Sequence, residues 1–325
     1  MTVDGGTITF NTTDNNLAEG NTLTFDTAAG TINGTGQWRR RDANNKVAVT
    51  AAASGSTISV ADLNLYDNTP VIEVADGAAA DDLAISSSIT GAAGIGLTKT
   101  GAGTLNLTGT NTFSGTATVA AGTLKVNNTT GTGVAGAITV NSGGTLGGTG
   151  SVGGLVTVNS GGHFAPGNSV GTTTVSRLTL DAGSILDLEF NASTNDQVVV
   201  GGSGGLTING GSFNLYAEGG TGPASLQSGT TYNLIRYSGA IQGSGVAALR
   251  VANPVAGVVY TFGTSGGYVT LTVGDGTKSW DSGAPGDGAE WSTAANWTGD
   301  RAPTEGDVLV FGTGADTTAH NDLAG

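Results

Sequence analysis

The chain of 325 residues contains no cysteine, so it can form neither disulfide bonds nor thiolate metal sites. The absence of thiols fits an exported protein. No stretch approaches the roughly 18 apolar residues of a membrane-spanning helix, so no membrane span is predicted. The N-terminal sequence MTVDGGTITF lacks the basic and apolar regions of a signal peptide, and we expect either a mature form or an export route not visible in this chain.

Basic residues are also scarce, since 11 Lys and Arg stand against 25 Asp and Glu and give a net charge of -14. A protein that neutralises phosphates needs basic stripes, so nucleic acid is excluded as a partner. No HExxH or P-loop motif is present, and the two histidines, His163 and His320, are expected to be structural or solvated. The sequence predicts a protein that is not an enzyme and needs no cofactor.

Glycine, in contrast, is abundant. The 58 glycines are accompanied by many Thr, Asn and Val residues, a composition typical of strands and turns. Their spacing is too irregular for collagen. We therefore predict an all-β protein.

A short repeat is the strongest pattern in the sequence. Three clear copies are ITVNSGGTL from Ile138, VTVNSGGHF from Val156 and LTLDAGSIL from Leu178; looser copies begin at Leu23, Ala117 and Leu206. The clear copies start 18 and then 22 residues apart. Period-two alternation places Val140, Val158 and Leu180 on one face, and the polar-Gly step that follows turns the chain.

A unit of about 20 residues cannot bury its apolar face alone, but stacked units share a continuous core. Because the copies return in the same orientation, the pattern favours a parallel β-helix, in which each turn of the chain is one rung. An antiparallel sandwich stays open as the alternative.

The segment LTKTGAGTLNLTGTNTFSGTATVAAGTLKV, residues 97–126, resembles the autotransporter-associated β-strand repeat of bacterial surface proteins. The matching positions are Lys99, Gly101, Gly103, Leu105, Leu107, Asn111, Phe113, Gly115, Gly122 and Leu124. FAPGNSVGTTTV, from Phe164, is similar to a segment of autotransporter passenger domains. The resemblance implies a right-handed parallel β-helix exposed at a bacterial cell surface. We predict N-terminal rungs with an inserted loop over 1–92, a passenger-like β-helix over 93–274 and a Trp-rich extension over 275–325.

The Trp-rich extension holds three of the four tryptophans and is similar to the start of a module in giant tandem surface proteins. We hypothesise that it docks on the next subunit, or that it joins covalent neighbours in a longer tandem protein. The predicted junction residues are Trp280, Trp291, Asn296, Trp297, Pro303 and Phe311, with Trp38, Arg39, Arg40 and Arg41 as a second cluster. The alternatives are a sugar-stacking platform for the tryptophans and a solvated loop, interrupting the rungs, for the second cluster.

Carboxylates are the remaining candidates for chemistry. Asp181, Asp187 and Glu189 alternate outward along LTLDAGSILDLEF, with Asp196 nearby, while Leu180, Leu186, Leu188 and Phe190 are expected to point inward. We expect a solvated strand face, since Arg177 is the single basic residue predicted near these acids. Calcium could bind at NASTNDQ, or at the loop that holds Asp281, Asp287 and Glu290, although neither has the spacing of a known calcium motif.

These patterns predict a non-enzymatic extracellular protein that assembles head-to-tail into a surface fibre or forms one unit of a fibrous adhesin. Its partner would be a second copy or a tandem neighbour, with surface glycans as a further candidate. A carbohydrate-binding or polysaccharide-cleaving β-helix protein is the alternative.

Overall fold

A computed structural model describes residues 1–12, 15–16, 22–39, 46–274, 276–280, 290–297, 302–303 and 308–311. These residues form strands and three short 3-10 turns, Ala51–Ala53, Val246–Ala248 and Ala294–Asn296, and no α-helix. None of the helical segments in this part of the chain has the length and apolar character needed to cross a membrane. The all-β prediction is confirmed.

The strands, numbered along the chain, are β1 (Thr2–Val3), β2 (Thr7–Thr9), β3 (Asn15–Asn16), β4 (Leu23–Phe25), β5 (Thr31–Arg39), β6 (Lys46–Val49), β7 (Ser56–Asn64), β8 (Val71–Val74), β9 (Leu83–Ile85), β10 (Ser88–Thr90), β11 (Leu97–Thr100), β12 (Thr104–Leu107), β13 (Ala117–Val119), β14 (Gly122–Val126), β15 (Ile138–Val140), β16 (Gly144–Gly148), β17 (Ser151–Val158), β18 (His163–Pro166), β19 (Thr172–Leu180), β20 (Ile185–Phe190), β21 (Gln197–Ser203), β22 (Leu206–Ile208), β23 (Gly211–Ala217), β24 (Thr231–Ser238), β25 (Gln242–Gly243), β26 (Leu249–Val251), β27 (Val259–Ser265), β28 (Tyr268–Gly274), β29 (Thr277–Trp280) and β30 (Val308–Phe311).

Two long sheets make up a parallel β-solenoid. The first sheet runs β1-β4-β6-β8-β11-β13-β15-β17-β19-β21-β24-β28-β27, and the second runs β2-β5-β7-β9-β12-β14-β16-β18-β20-β23-β26. Up to β24 in the first sheet, and throughout the second, successive strands come from successive rungs and pair in parallel. The long strand β19 turns a corner, because its first half pairs with β21 and its second half with β22. The parallel β-helix is therefore confirmed, and the sandwich alternative is wrong.

The copies of the predicted repeat pair with one another in successive rungs of the solenoid. Ile138 pairs with Val156, and Val156 with Leu178, so the 18- and 22-residue spacings are both single rungs. Two looser copies join the same column, since Ala117 pairs with Ile138 and Leu178 with Leu206. The inward residues Val140, Val158 and Leu180 are all fully buried, as the alternation predicts.

The core is a set of aliphatic columns that run along the solenoid axis. In one of them, the side chains of Ile32, Ile58, Ile85, Leu107 and Val126 follow each other in register, and each is fully buried. Each such side chain contributes roughly 1.5–3 kcal/mol by leaving water. Both sheets continue across the predicted boundary at residues 92 and 93, because β8 pairs with β11 and β9 with β12. This boundary is not marked by any break in the backbone ladders.

The C-terminal end of the first sheet is closed by an antiparallel hairpin. Strand β28 pairs antiparallel with both β24 and β27. Phe262 of the hairpin packs on Phe213 of the second sheet, with ring centroids 4.9 Å apart. The hairpin thus covers part of the last rungs, whereas β29 and β30 form a separate two-stranded sheet.

Candidate functional site

The C-terminal aromatic unit consists of Trp280, Trp291, Trp297 and Phe311, which pack on one another. The rings of Trp280 and Trp297 meet edge to face, with centroids 5.1 Å apart, and Phe311 lies 5.5 Å from Trp291 and 5.7 Å from Trp297. Trp297 is fully buried and Trp280 nearly so. The structure therefore brings together residues that are up to 31 positions apart in the sequence.

Hydrogen bonds fix the geometry of this unit. The indole N–H of Trp297 donates to the Trp291 carbonyl at 2.8 Å, and the side-chain amide of Asn296 donates to the Glu290 carbonyl at 3.1 Å. Asn296 and Pro303 are buried. A stacking platform would leave ring faces open to a sugar, but these rings contact each other. The packing favours the cap or junction interpretation over the platform.

Strands β29 and β30 form the backbone of the unit and pair in parallel, with Thr277 opposite Val308 and Trp280 opposite Phe311. This 31-residue return in parallel register has the character of a solenoid rung. Within the described part of the chain, β30 has no second neighbour, and the other edge of β29 carries a single antiparallel bridge between Trp280 and Trp297. Val310 and Phe311 are 42% and 43% exposed, so two large apolar side chains face solvent beside an unpaired strand edge.

The second predicted junction cluster is not placed as expected. Trp38 and Arg39 continue strand β5 instead of interrupting the rungs, and the Trp38 side chain is fully buried. Trp38 lies 5.9 Å from Phe10, ring to ring, and its backbone pairs with β3 and β7. The loop alternative is wrong for Trp38, because its large apolar surface fills the core, and a junction role for this cluster stays a prediction. Arg40 and Arg41 lie outside the described residues.

The position of Lys99 explains why the passenger-like repeat has a lysine at this point. Its side chain is buried, and its ammonium group donates to the carbonyls of Thr100, Gly101 and Ala121 at 2.8–3.1 Å. Burial lowers the pKa of Lys99 to about 8, against the opposing charge of Asp82. Lys99 therefore ties two successive turns together from the inside.

The Asn-x-Phe-x-Gly part of the repeat also ties successive turns together, at the next corner of the solenoid. The Asn111 side chain accepts from the Ile89 amide and donates to the carbonyls of Gly109 and Gly133, so it links three successive rungs. Phe113 fills the core completely. A side chain at Gly115 would place Cβ 2.3 Å from the Gly94 carbonyl oxygen, so only glycine fits.

The carboxylates of β20 lie on the outer face of the second sheet, as predicted, while Leu186 and Leu188 are fully buried. One Asp187 oxygen lies 2.6 Å from Nδ1 of His163, and the other accepts from the Asn214 amide at 2.7 Å. The hydrogen bond with Asp187 raises the pKa of His163. His163 is thus a structural partner of Asp187, in line with the expectation for this residue. His320 lies outside the described residues.

Asp196 departs from the predicted solvated face, because it is only 1% exposed. Its two oxygens accept from the amides of Gly171 at 2.6 Å and Glu189 at 2.7 Å, which closes the turn after β20. Burial raises its pKa to about 7, and the charges of Glu189 and Glu218 act in the same direction. The expectation of a solvated residue is wrong here, since the carboxylate is needed by two buried backbone donors.

A concave site, which we call the sheet trough, lies between these acids and Lys125. The sequence pattern does not connect this lysine with the acids. Lys125, Gly147 and Ala165 pair in one column across three strands, and Asp187 comes directly after Leu186, which pairs with Phe164 on the next strand. The two small residues leave a hollow between the two charges. Glu189 and Tyr216 also line the trough, which holds about 200 Å³. The predicted basic partner, Arg177, does not line it. Lys125 lies 62 residues before Asp187, and only the rung register could have joined them.

The described residues contain no group of three His, Asp or Glu side chains placed to hold a metal ion. The asparagine-rich loop that begins at Asn191 bonds to itself, since the Asn191 side chain accepts from the amides of Ser193 and Thr194. Asp281 and Asp287 lie outside the described residues, and Glu290 is exposed. Calcium binding stays a prediction without a site.

Comparison with known families gives one informative match. Residues 97–126 match the model of the passenger-associated-transport-repeat family. This is the segment in which Lys99, Asn111 and Phe113 hold successive rungs together, and the resemblance seen in the sequence is confirmed. The chain carries a passenger-associated repeat. No curated protein matches the chain. Together, the repeat and the solenoid make the chain similar to the passenger domains of autotransporter surface proteins.

Proposed function

We propose that the chain is a non-enzymatic, extracellular structural protein of a bacterial cell surface, and that its C-terminal aromatic unit docks on a neighbouring copy to build a fibre. The solenoid would be the shaft, and no cofactor is required. In a tandem protein or fibrous adhesin, the same contact would join covalent neighbours.

One observation carries this proposal: the aromatic unit rests on a two-stranded parallel sheet whose edge is flanked by exposed Val310 and Phe311. Isolated two-stranded sheets are marginal in water, and unpaired strand edges tend to add strands from another molecule. At the other end of the sheet order, β1 and β2 each have one partner among the described residues, so they offer backbone donors and acceptors to such an added pair. Contacts between different surfaces that do not close a ring give filaments.

The carboxylates support a structural rather than a catalytic role. Hydrolysis of a glycosidic bond typically uses a pair of carboxyl groups that act on the substrate. Both oxygens of Asp187 and both oxygens of Asp196 are instead engaged by protein groups. Glu189, in contrast, has a buried carboxylate oxygen with no hydrogen-bond partner among the described residues.

The test is sedimentation velocity of the purified chain at several concentrations, compared with Val310→Asp. The added charge should repel a docking strand while leaving the buried rings in place, so we expect the large species of the unmodified chain to fall to monomer. Val255→Asp is the matched control, because Val255 is also an exposed valine, 38% exposed, but lies outside the aromatic unit. Concentration-dependent assembly that is identical in both variants would contradict docking through this unit.

A further inference from the structure

We propose that the sheet trough is a binding site for a single saccharide unit, such as one residue of a surface glycan. The site goes beyond the structural role proposed above, and its test does not depend on assembly. Its volume of about 200 Å³ is small for a ligand site, which suits one sugar ring rather than an extended oligomer. The hollow exists because Gly147 and Ala165 interrupt a column of larger outward side chains.

An unsatisfied acceptor points to a ligand that carries donors. The Oε2 atom of Glu189 is buried and has no hydrogen-bond partner among the described residues. Buried carboxylate oxygens without a donor are uncommon, because each one forfeits the free energy of its hydration. A rotation of the Glu189 side chain, which lines the trough, would bring this oxygen to the hollow, where a sugar hydroxyl would supply the missing donor.

The other groups in the trough complete a polar lining of mixed character. The Lys125 ammonium uses one of its three donors on Asp81, at 2.9 Å, and retains two for the acceptors of a ligand. Tyr216 adds an aromatic surface and a hydroxyl group. Donors, acceptors and an aromatic ring around one small hollow are the combination that recognises a polyhydroxylated ring.

Other ligand classes fit less well. A divalent cation would need several oxygen ligands, and no suitable set of three side chains exists in the described residues. An anion would meet Asp187 and Glu189 in a protein of net charge -14. Among the described acids that line the trough, Glu189 is the one with an unpartnered oxygen, which suits binding of a sugar better than cleavage by a pair of carboxyl groups.

The experiment is saturation-transfer difference NMR of the full chain with glucose, galactose, mannose and N-acetylglucosamine at millimolar concentrations, followed by titration of any sugar that binds. Glu189→Gln keeps the shape but weakens the acceptor, so we expect affinity to fall by about tenfold or more. Ala165→Leu fills the hollow and should abolish binding. Glu73→Gln changes an outward carboxylate of the first sheet and should leave affinity unchanged.

Two results would overturn the proposal. One is the absence of transfer to every sugar of the panel, including the case in which only Ca²⁺ or a diamine binds. The other is binding that survives both Glu189→Gln and Ala165→Leu, which would place the site elsewhere. Circular dichroism melts of each variant distinguish a lost site from a lost fold, and Val310→Asp should bind sugar normally even where it no longer assembles.

Discussion

The solenoid and the C-terminal aromatic unit bury apolar surface in different ways. In the solenoid, aliphatic side chains such as Ile58 and Ile85 stack in columns, and each rung is supported by a rung on either side. In the aromatic unit, four large rings close around two strands that have no further strand beside them in the described residues. The solenoid therefore distributes its stability over many equivalent contacts, whereas the aromatic unit depends on a few. This difference predicts that the two regions can be broken separately.

The largest expected effect is in the solenoid, from Phe113→Ala. Phe113 is fully buried in the passenger-associated repeat, and removing its ring leaves a cavity that costs about 3–5 kcal/mol. Chemical denaturation followed by far-UV circular dichroism should show this loss. Tryptophan fluorescence before the transition should hardly change, because three of the four tryptophans lie in the aromatic unit. A loss below about 1 kcal/mol would show that the ring is not part of the core.

The reverse experiment is Trp297→Ala, which removes the central ring of the aromatic unit. We expect near-UV circular dichroism and the fluorescence of Trp280 and Trp291 to become those of exposed indoles, because both rings contact Trp297. The free energy of unfolding of the solenoid, followed by far-UV circular dichroism, should stay within about 0.5 kcal/mol of the value for the unmodified chain. If Trp297→Ala lowered the free energy of unfolding of the solenoid as well as changing the fluorescence, the two regions would unfold as one cooperative unit. The expectation that they can be broken separately would then be wrong.

The smallest effect concerns pH and belongs to the solenoid alone. Because the pKa of Asp196 is raised to about 7 in the folded chain, the folded state binds this proton more tightly than the unfolded state, and stability falls as pH rises from about 4 to 7. Asp196→Asn removes this contribution but loses one acceptor for a backbone amide, at a cost of about 1 kcal/mol. Unfolding measured at pH 4.5 and pH 8 should show that Asp196→Asn lowers the free energy of unfolding less at the higher pH. An equal cost at both values would mean that Asp196 stays ionised throughout.

Much of the solenoid could be predicted from the sequence, because a strand repeat with period-two alternation determines which side chains point inward and which rungs pair. The alignment of Ile138, Val156 and Leu178 was already the hydrogen-bonding register. The same pattern could not reveal the burial of Trp38, because the adjacent arginines suggested a polar loop. Nor could it reveal that Asp196 is enclosed, since that depends on two amides from a turn and a neighbouring rung. The sheet trough required the register of four strands to bring Lys125 towards Asp187.

The antiparallel hairpin at the C-terminal end of the first sheet could not be predicted from the repeat either. The segments of β27 and β28 are ordinary alternating strands, and local alternation does not specify whether a strand pairs in parallel or antiparallel. Their direction follows from the short turn at Gly266 and Gly267, where both residues have positive φ and so allow a tight reversal.

Electron microscopy of the purified chain across a range of concentrations shows directly whether the aromatic unit builds a fibre. We expect long, uniform fibres with a regular axial repeat, and their loss on Val310→Asp but not on Val255→Asp. Short single rods at every concentration would contradict self-assembly through the aromatic unit.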